Sequence, residues 1–67
     1  RQIEDIKKIA SARGLDYLAP KLKEVALVRM ENPDVVIEEL GQMMDPPLTK
    51  SGVNNRLLRI TEIAKGL

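Results

Sequence analysis

The sequence has no cysteine, histidine, tryptophan or phenylalanine and only one tyrosine. Without Cys or His there can be no disulfide, no zinc site built on those ligands and no nucleophile paired with an imidazole. No phosphate-binding loop or other catalytic constellation stands in their place, so the chain reads as a non-enzyme that folds without metal or cofactor. Long apolar runs are missing too. No stretch approaches the ~20 residues needed to cross a bilayer, and no succession of basic, apolar and small residues marks a signal peptide. The expectation is a soluble protein without a membrane partner, and zero cysteine is compatible with the cytoplasm without establishing it. At 67 residues the chain can build one domain, with a core that is marginal unless its helices pack well. It begins with Arg1 rather than Met, the pattern of an excised or processed piece of a longer protein.

The formal net charge of +1 hides an asymmetry. Residues 48 to 67 carry Lys50, Arg56, Arg59 and Lys65 against Glu62 alone, whereas the first 47 carry seven cations against nine acids. Positive charge therefore gathers on the last segment, as expected if one element meets a polyanion and the rest is scaffold. A solvated basic face is the plainer alternative.

Apolar periodicity divides the chain into four helical segments, with no internal repeat or low-complexity stretch. Ile3, Ile6, Ile9 and Ala10, separated by charged residues, predict a first amphipathic helix that stops at Gly14. A short lead-in follows, from Leu15 to Ala19, and Pro20 suits the first turn of a second helix because its missing N–H would be unpaired there. That helix ends near Asn32, before Pro33. Leu22, Val25, Ala26 and Met30 form its stripe. Leu27 lies more than a quarter turn from the stripe's centre, which leaves two readings: an exposed leucine, or one packed under the first helix.

A third, short helix is predicted from about Val36 to Met44, with Ile37, Leu40, Gly41 and Met44 inward. Glu38 and Glu39 fall in its first turn, where the helix dipole favours negative charge, and are read as surface groups without acid–base roles. Asp45-Pro46-Pro47 breaks the helix. Thr49 then offers a hydroxyl as N-cap of a fourth helix, whose inner stripe is Val53, Leu57, Ile60 and Ala64.

At about 100° per residue the opposite face of this helix is centred on Ser51, Asn55 and Arg59, flanked by Gly52, Asn54 and Arg56. Asn can pair a donor and an acceptor with adenine, Ser can bond several base edges, and Arg can grip guanine or phosphate with two parallel bonds. The helix N-terminus, at Thr49 and Lys50, adds backbone N–H groups for a phosphate. A short helix, a turn, and a helix that is apolar inside and polar and basic outside is a helix-turn-helix, whose second helix enters the major groove of double-stranded DNA. The predicted fold is therefore all-α, a small four-helix bundle spanning 1–67, with the helix-turn-helix unit at 36–64 and the recognition helix at about 50–64. Gly41, on the inward face, would let the third helix approach the fourth closely. Gly52 admits two readings: close approach to DNA, or tolerance in a first helical turn.

The segments LAPKLKEVALVRMENP and EELGQMMDPPLTKSGVNNRL closely resemble the C-terminal domain of WhiA regulators, and the match covers most of the chain. The DPP turn with TKSGVNNRL carries most of it. EELG alone is also similar to the helix-turn-helix of sigma-factor region four, from which this turn differs by two extra residues. The resemblance implies a bacterial transcription regulator of sporulation or cell division, cytoplasmic and nucleoid-associated. It implies an N-terminal region similar to LAGLIDADG homing endonucleases without evident nuclease activity. It further implies action with a WhiB-type iron–sulfur partner and the RNA polymerase holoenzyme. Three positions depart from the family pattern: Val36 stands for a capping Ser or Thr, Leu27 for a charged residue, and Leu58 for a basic one. Val36 cannot accept an N–H, which costs the third helix roughly 1 kcal/mol unless Asp34 substitutes. Leu58 lowers the positive charge beside Arg59 and so weakens the expected DNA affinity.

The competing reading is a helical protein-interaction module docking RNA polymerase or a partner regulator through Leu27, Leu58 and their neighbours. The outer face of the last helix discriminates between the two. DNA requires Asn and Arg outward, whereas a protein dock favours a contiguous apolar patch.

Overall fold

In a computed structural model that describes residues 2–67, the regular elements are all helical: α1 (Gln2–Ala12), α2 (Pro20–Glu31), α3 (Ile37–Gln42) and α4 (Lys50–Lys65), with a single 3-10 turn at Leu15–Tyr17. α1 stops where expected. Gly14 adopts φ +81°, a conformation that costs an L side chain strain, and its N–H reaches back to the Ile9 carbonyl at 3.1 Å. The 3-10 turn swings the chain round so that Leu18 enters the core, a position that carries no periodic signal because it lies between helices. Pro20 opens α2 in its first turn, and the Asn32 side-chain amide closes it by donating to the Val28 carbonyl at 2.9 Å.

α3 is shorter than the apolar pattern predicts, running Ile37–Gln42 rather than Val36 to Met44. Val36 is its N-cap residue and contributes no side-chain bond, and Asp34 does not take over that role. At the far end the ladder tightens: Met43 N–H donates to the Leu40 carbonyl at 3.0 Å and Met44 N–H to the Gly41 carbonyl at 3.3 Å. The helix stops there because Pro46 and Pro47 cannot donate to it. Met44 still plugs the core from the turn.

α4 is the axle on which α1, α2 and α3 all pack. Its stripe Val53, Leu57, Ile60 and Ala64 is buried as expected, meeting Ile6 and Ile9 from α1, Val25 and Ala26 from α2, and Leu40 from α3 in one cluster. Burial of each large aliphatic there contributes about 1.5–3 kcal/mol, which is what a chain of this size relies on. Thr61 of α4 donates its hydroxyl hydrogen to Asp5 of α1 at 2.9 Å, fixing the rotation of one helix against the other. One position departs from expectation: the packed face of α1 is centred between Ile6 and Ile9, and Ala10, expected inward, lies roughly 70° from that centre and is exposed. Leu27 resolves to the exposed alternative, at 44%.

Candidate nucleic-acid interface

The turn from α3 into α4 is held by backbone. Leu48 N–H donates to the Gly41 carbonyl at 2.9 Å, and a Cβ built on Gly41 would stand 2.3 Å from the Leu48 carbonyl oxygen and 3.2 Å from Val53 Cγ2. Glycine is therefore required at 41, and the close approach it permits is to the Leu48 peptide first and to α4 itself second. One residue on, Thr49 caps α4: its Oγ1 accepts from the Gly52 N–H at 3.1 Å, with backbone in the extended region. Gly52 itself is not sterically required. A Cβ there would meet Thr49 Oγ1 at 3.4 Å and Leu48 side-chain atoms beyond that, which are ordinary contacts.

With the inner stripe buried, the remaining α4 side chains take the positions that the helix period dictates. Lys50, Ser51, Asn55 and Arg59 are exposed together with Thr49, while Gly52, Asn54 and Arg56 on the flanks are half-buried. All eight candidate residues thus sit on the first ten positions of one helix and its cap. Among the described residues no ion pair engages Lys50, Arg56, Arg59 or Lys65, so the charge on this helix is uncommitted. Leu58 belongs to the same outer surface at 63% exposure, one turn beyond Asn54 and Asn55. Glu62 follows it on the next turn and is exposed.

Two shallow grooves flank the helix. One lies between Lys50 and the α2–α3 connection, lined by Arg29, Val36 and Glu38 among others. The other lies against the start of α1, lined by Gln2, Asn54, Leu57, Leu58 and Thr61. Arg29 is a residue that the sequence pattern did not single out. Its Nε donates to Gln2 Oε1 at 3.0 Å, and its Nη1 donates to the Val35 carbonyl and, at 3.4 Å, to the Asn32 carbonyl. One guanidinium thereby fastens the connection that leads into α3 to the start of α1. A cation in the last turn of a helix, just before Asn-Pro, was the available signal, since such side chains commonly bond the final carbonyls.

No helix among the described residues is long and apolar enough to cross a membrane. A family model described as the WhiA C-terminal HTH domain matches residues 1–64. The chain is 58% identical over its whole length to a protein of Thermoanaerobacter sp. (strain X514) called "Probable cell division protein WhiA", of which it covers 21%. It is 54% identical to the protein of the same name from Carboxydothermus hydrogenoformans, over 97% of this chain and 21% of that one. Among solved structures it superposes on full-length DUF199/WhiA from Thermatoga maritima with a TM-score of 0.91 at 39% identity, covering 98% of this chain and 22% of the other. The chain thus spans about a fifth of the length of the relatives it matches. Sequence and fold agree along nearly all of its residues, and the chain belongs to the family of WhiA C-terminal helix-turn-helix domains.

Proposed function

We propose that this domain, residues 1–67 with its helix-turn-helix unit at 36–64, binds double-stranded DNA sequence-specifically by laying α4 in the major groove. The observation that carries the reading is the division of α4 into a fully buried apolar stripe and an outer face bearing Ser51, Asn54, Asn55 and two free cations. Ser51 and Asn55 face the base edges. Lys50 and Arg59 reach phosphates, Thr49 and Gly52 form the close-approaching N-terminus, and half-buried Arg56 meets a phosphate from the flank. The role is that of a binding domain, not an enzyme. In the whole protein it would serve a bacterial transcription regulator of cell division or sporulation, acting in the cytoplasm at the nucleoid. A WhiB-type regulator and the RNA polymerase holoenzyme are its proposed partners.

A protein-docking role for the same face would need a contiguous apolar patch, and Leu58 instead stands among polar and charged neighbours. Selection of bound duplexes from a random pool, followed by titration at several salt concentrations, tests the proposal. A defined site with an affinity that falls steeply with salt is expected, each phosphate contact contributing a slope of about one unit. Affinity that stays flat as salt rises, with no enriched sequence, sinks it.

A further inference from the structure

α4 exposes one large apolar side chain in the middle of an otherwise polar face. Leu58 makes no contribution to the buried core, and it lies seven residues after Ser51 and three after Asn55. Ser51, Asn54, Asn55 and Leu58 therefore repeat as i, i+3, i+4 and i+7, the spacing with which a homeodomain's third helix places its four base-contacting side chains. At about 100° per residue these four occupy an arc of roughly 100°, and Lys50 and Arg59 lie roughly 90° to either side of its centre. A helix about 10–12 Å across fills a major groove about 12 Å wide, so side chains at those two edges meet the opposite phosphate walls while the arc between them faces the base edges. Leu58 lies within that arc, between the two cations and beside Ser51 and Asn54. Glu62, one turn later on the same side, carries the wrong charge for a phosphate wall and marks where the reading face ends.

We propose that Leu58 is a specificity-determining residue that packs on the 5-methyl group of a thymine. The inference rests on the DNA-reading role of α4 and deepens it. A leucine can neither donate nor accept, and the one apolar group that a base pair presents in the major groove is the thymine methyl. The free cations on either side of the arc favour a polyanionic surface over an apolar protein one. Along the helix Leu58 is about 4.5 Å beyond Asn55, so the thymine lies one or two base steps from the base that Asn55 meets. An amide that prefers adenine and a leucine that prefers the thymine methyl together bias that end of the site toward A·T pairs.

The test uses the 67-residue chain and the duplex that it selects from a random pool. Each thymine is replaced in turn by deoxyuridine, which removes the methyl group and nothing else. At one position the replacement should weaken binding about fourfold, the worth of one buried methyl-sized group. Leu58→Ala should lose the same factor on the thymine duplex and become indifferent to the replacement. Leu58→Met, which keeps an apolar tip, should retain the sensitivity. Leu58 is exposed, so both variants should fold like the parent, and circular dichroism checks that. Uracil sensitivity that persists in Leu58→Ala, or a defined site in which no thymine is sensitive, overturns the proposal and leaves the DNA-reading role standing. Unchanged affinity of Leu58→Ala for every duplex also overturns it. Failure to select any site removes the DNA-reading role, and this proposal with it.

Discussion

The two helices of the turn motif begin differently. α4 opens on Thr49, whose hydroxyl takes an N–H that the helix cannot satisfy, and then runs from Lys50 to Lys65. α3 opens on Val36, with the extended backbone of a cap residue, φ −70° and ψ 156°, but with nothing to accept an N–H, and covers only Ile37–Gln42. A helix of that length without a cap is not stable by itself. It is held from outside: Leu40 and Gly41 are sunk against α4, and Arg29 fastens the connection before it. The difference teaches that α3 has no start signal of its own and is placed by its neighbours, whereas α4 carries its cap at its own first turn.

The comparison breaks most severely at Gly41. Gly41→Ala drives a methyl into the Leu48 carbonyl, which cannot retreat without moving the start of α4. The expected cost is about 3 kcal/mol in urea denaturation, the upper end for overpacking. Gly52→Ala, the same substitution at the other glycine of the motif, should instead be neutral or gain up to about 1 kcal/mol from helix propensity. If both cost the same, the assignment of steric need to Gly41 alone is wrong. Arg29→Met keeps the aliphatic stem and removes the donors, and should cost about 2 kcal/mol by stranding part-buried carbonyls. Next in size come the caps. Thr49→Ala should destabilise by about 1 kcal/mol and Val36→Ser should stabilise by a similar amount, both read from denaturation midpoints. A Val36→Ser variant no more stable than the parent would mean that α3 has no cap deficit to repair.

The smallest effect lies outside the motif. Asp16 accepts a hydrogen bond from Lys23 and feels its charge, which together hold its carboxyl below the ordinary aspartate value of 3.8. A carboxylate depressed in the folded state stabilises above its unfolded pKa, and that contribution is lost as pH falls through the folded value. Lys23→Met should move the Asp16 titration, followed by NMR, up toward the ordinary value. Stability at neutral pH should barely change because the pair is exposed.

What could be read from sequence follows the range of the interactions. Helix number, the stops at Gly14 and Pro46, the Thr49 cap and the buried stripe of α4 are local, fixed by period and by residues within one turn of one another. Leu18, exposed Ala10 and the bond from Arg29 to Gln2 depend on which elements meet and at what rotation. Nothing within one turn of those residues encodes that. The outer face of α4 was legible because its inner face was, one being the complement of the other. Leu58 stood out as a departure from the family pattern, and the structure adds that it is exposed while Val53, Leu57 and Ile60 are buried.

Because α1, α2 and α3 all rest on α4, that helix has no partial opening of its own. Releasing it dissolves the whole cluster, so its central amides should exchange with solvent hydrogen only through global unfolding, while the exposed ends of α1 and α2 exchange by local fraying. The outer face of α4 is accordingly as rigid as the domain is stable. In the proposed DNA-reading role it would not adjust to a poor site by tilting a helix, and accommodation to an imperfect sequence would come from side-chain rotamers or from deformation of the duplex.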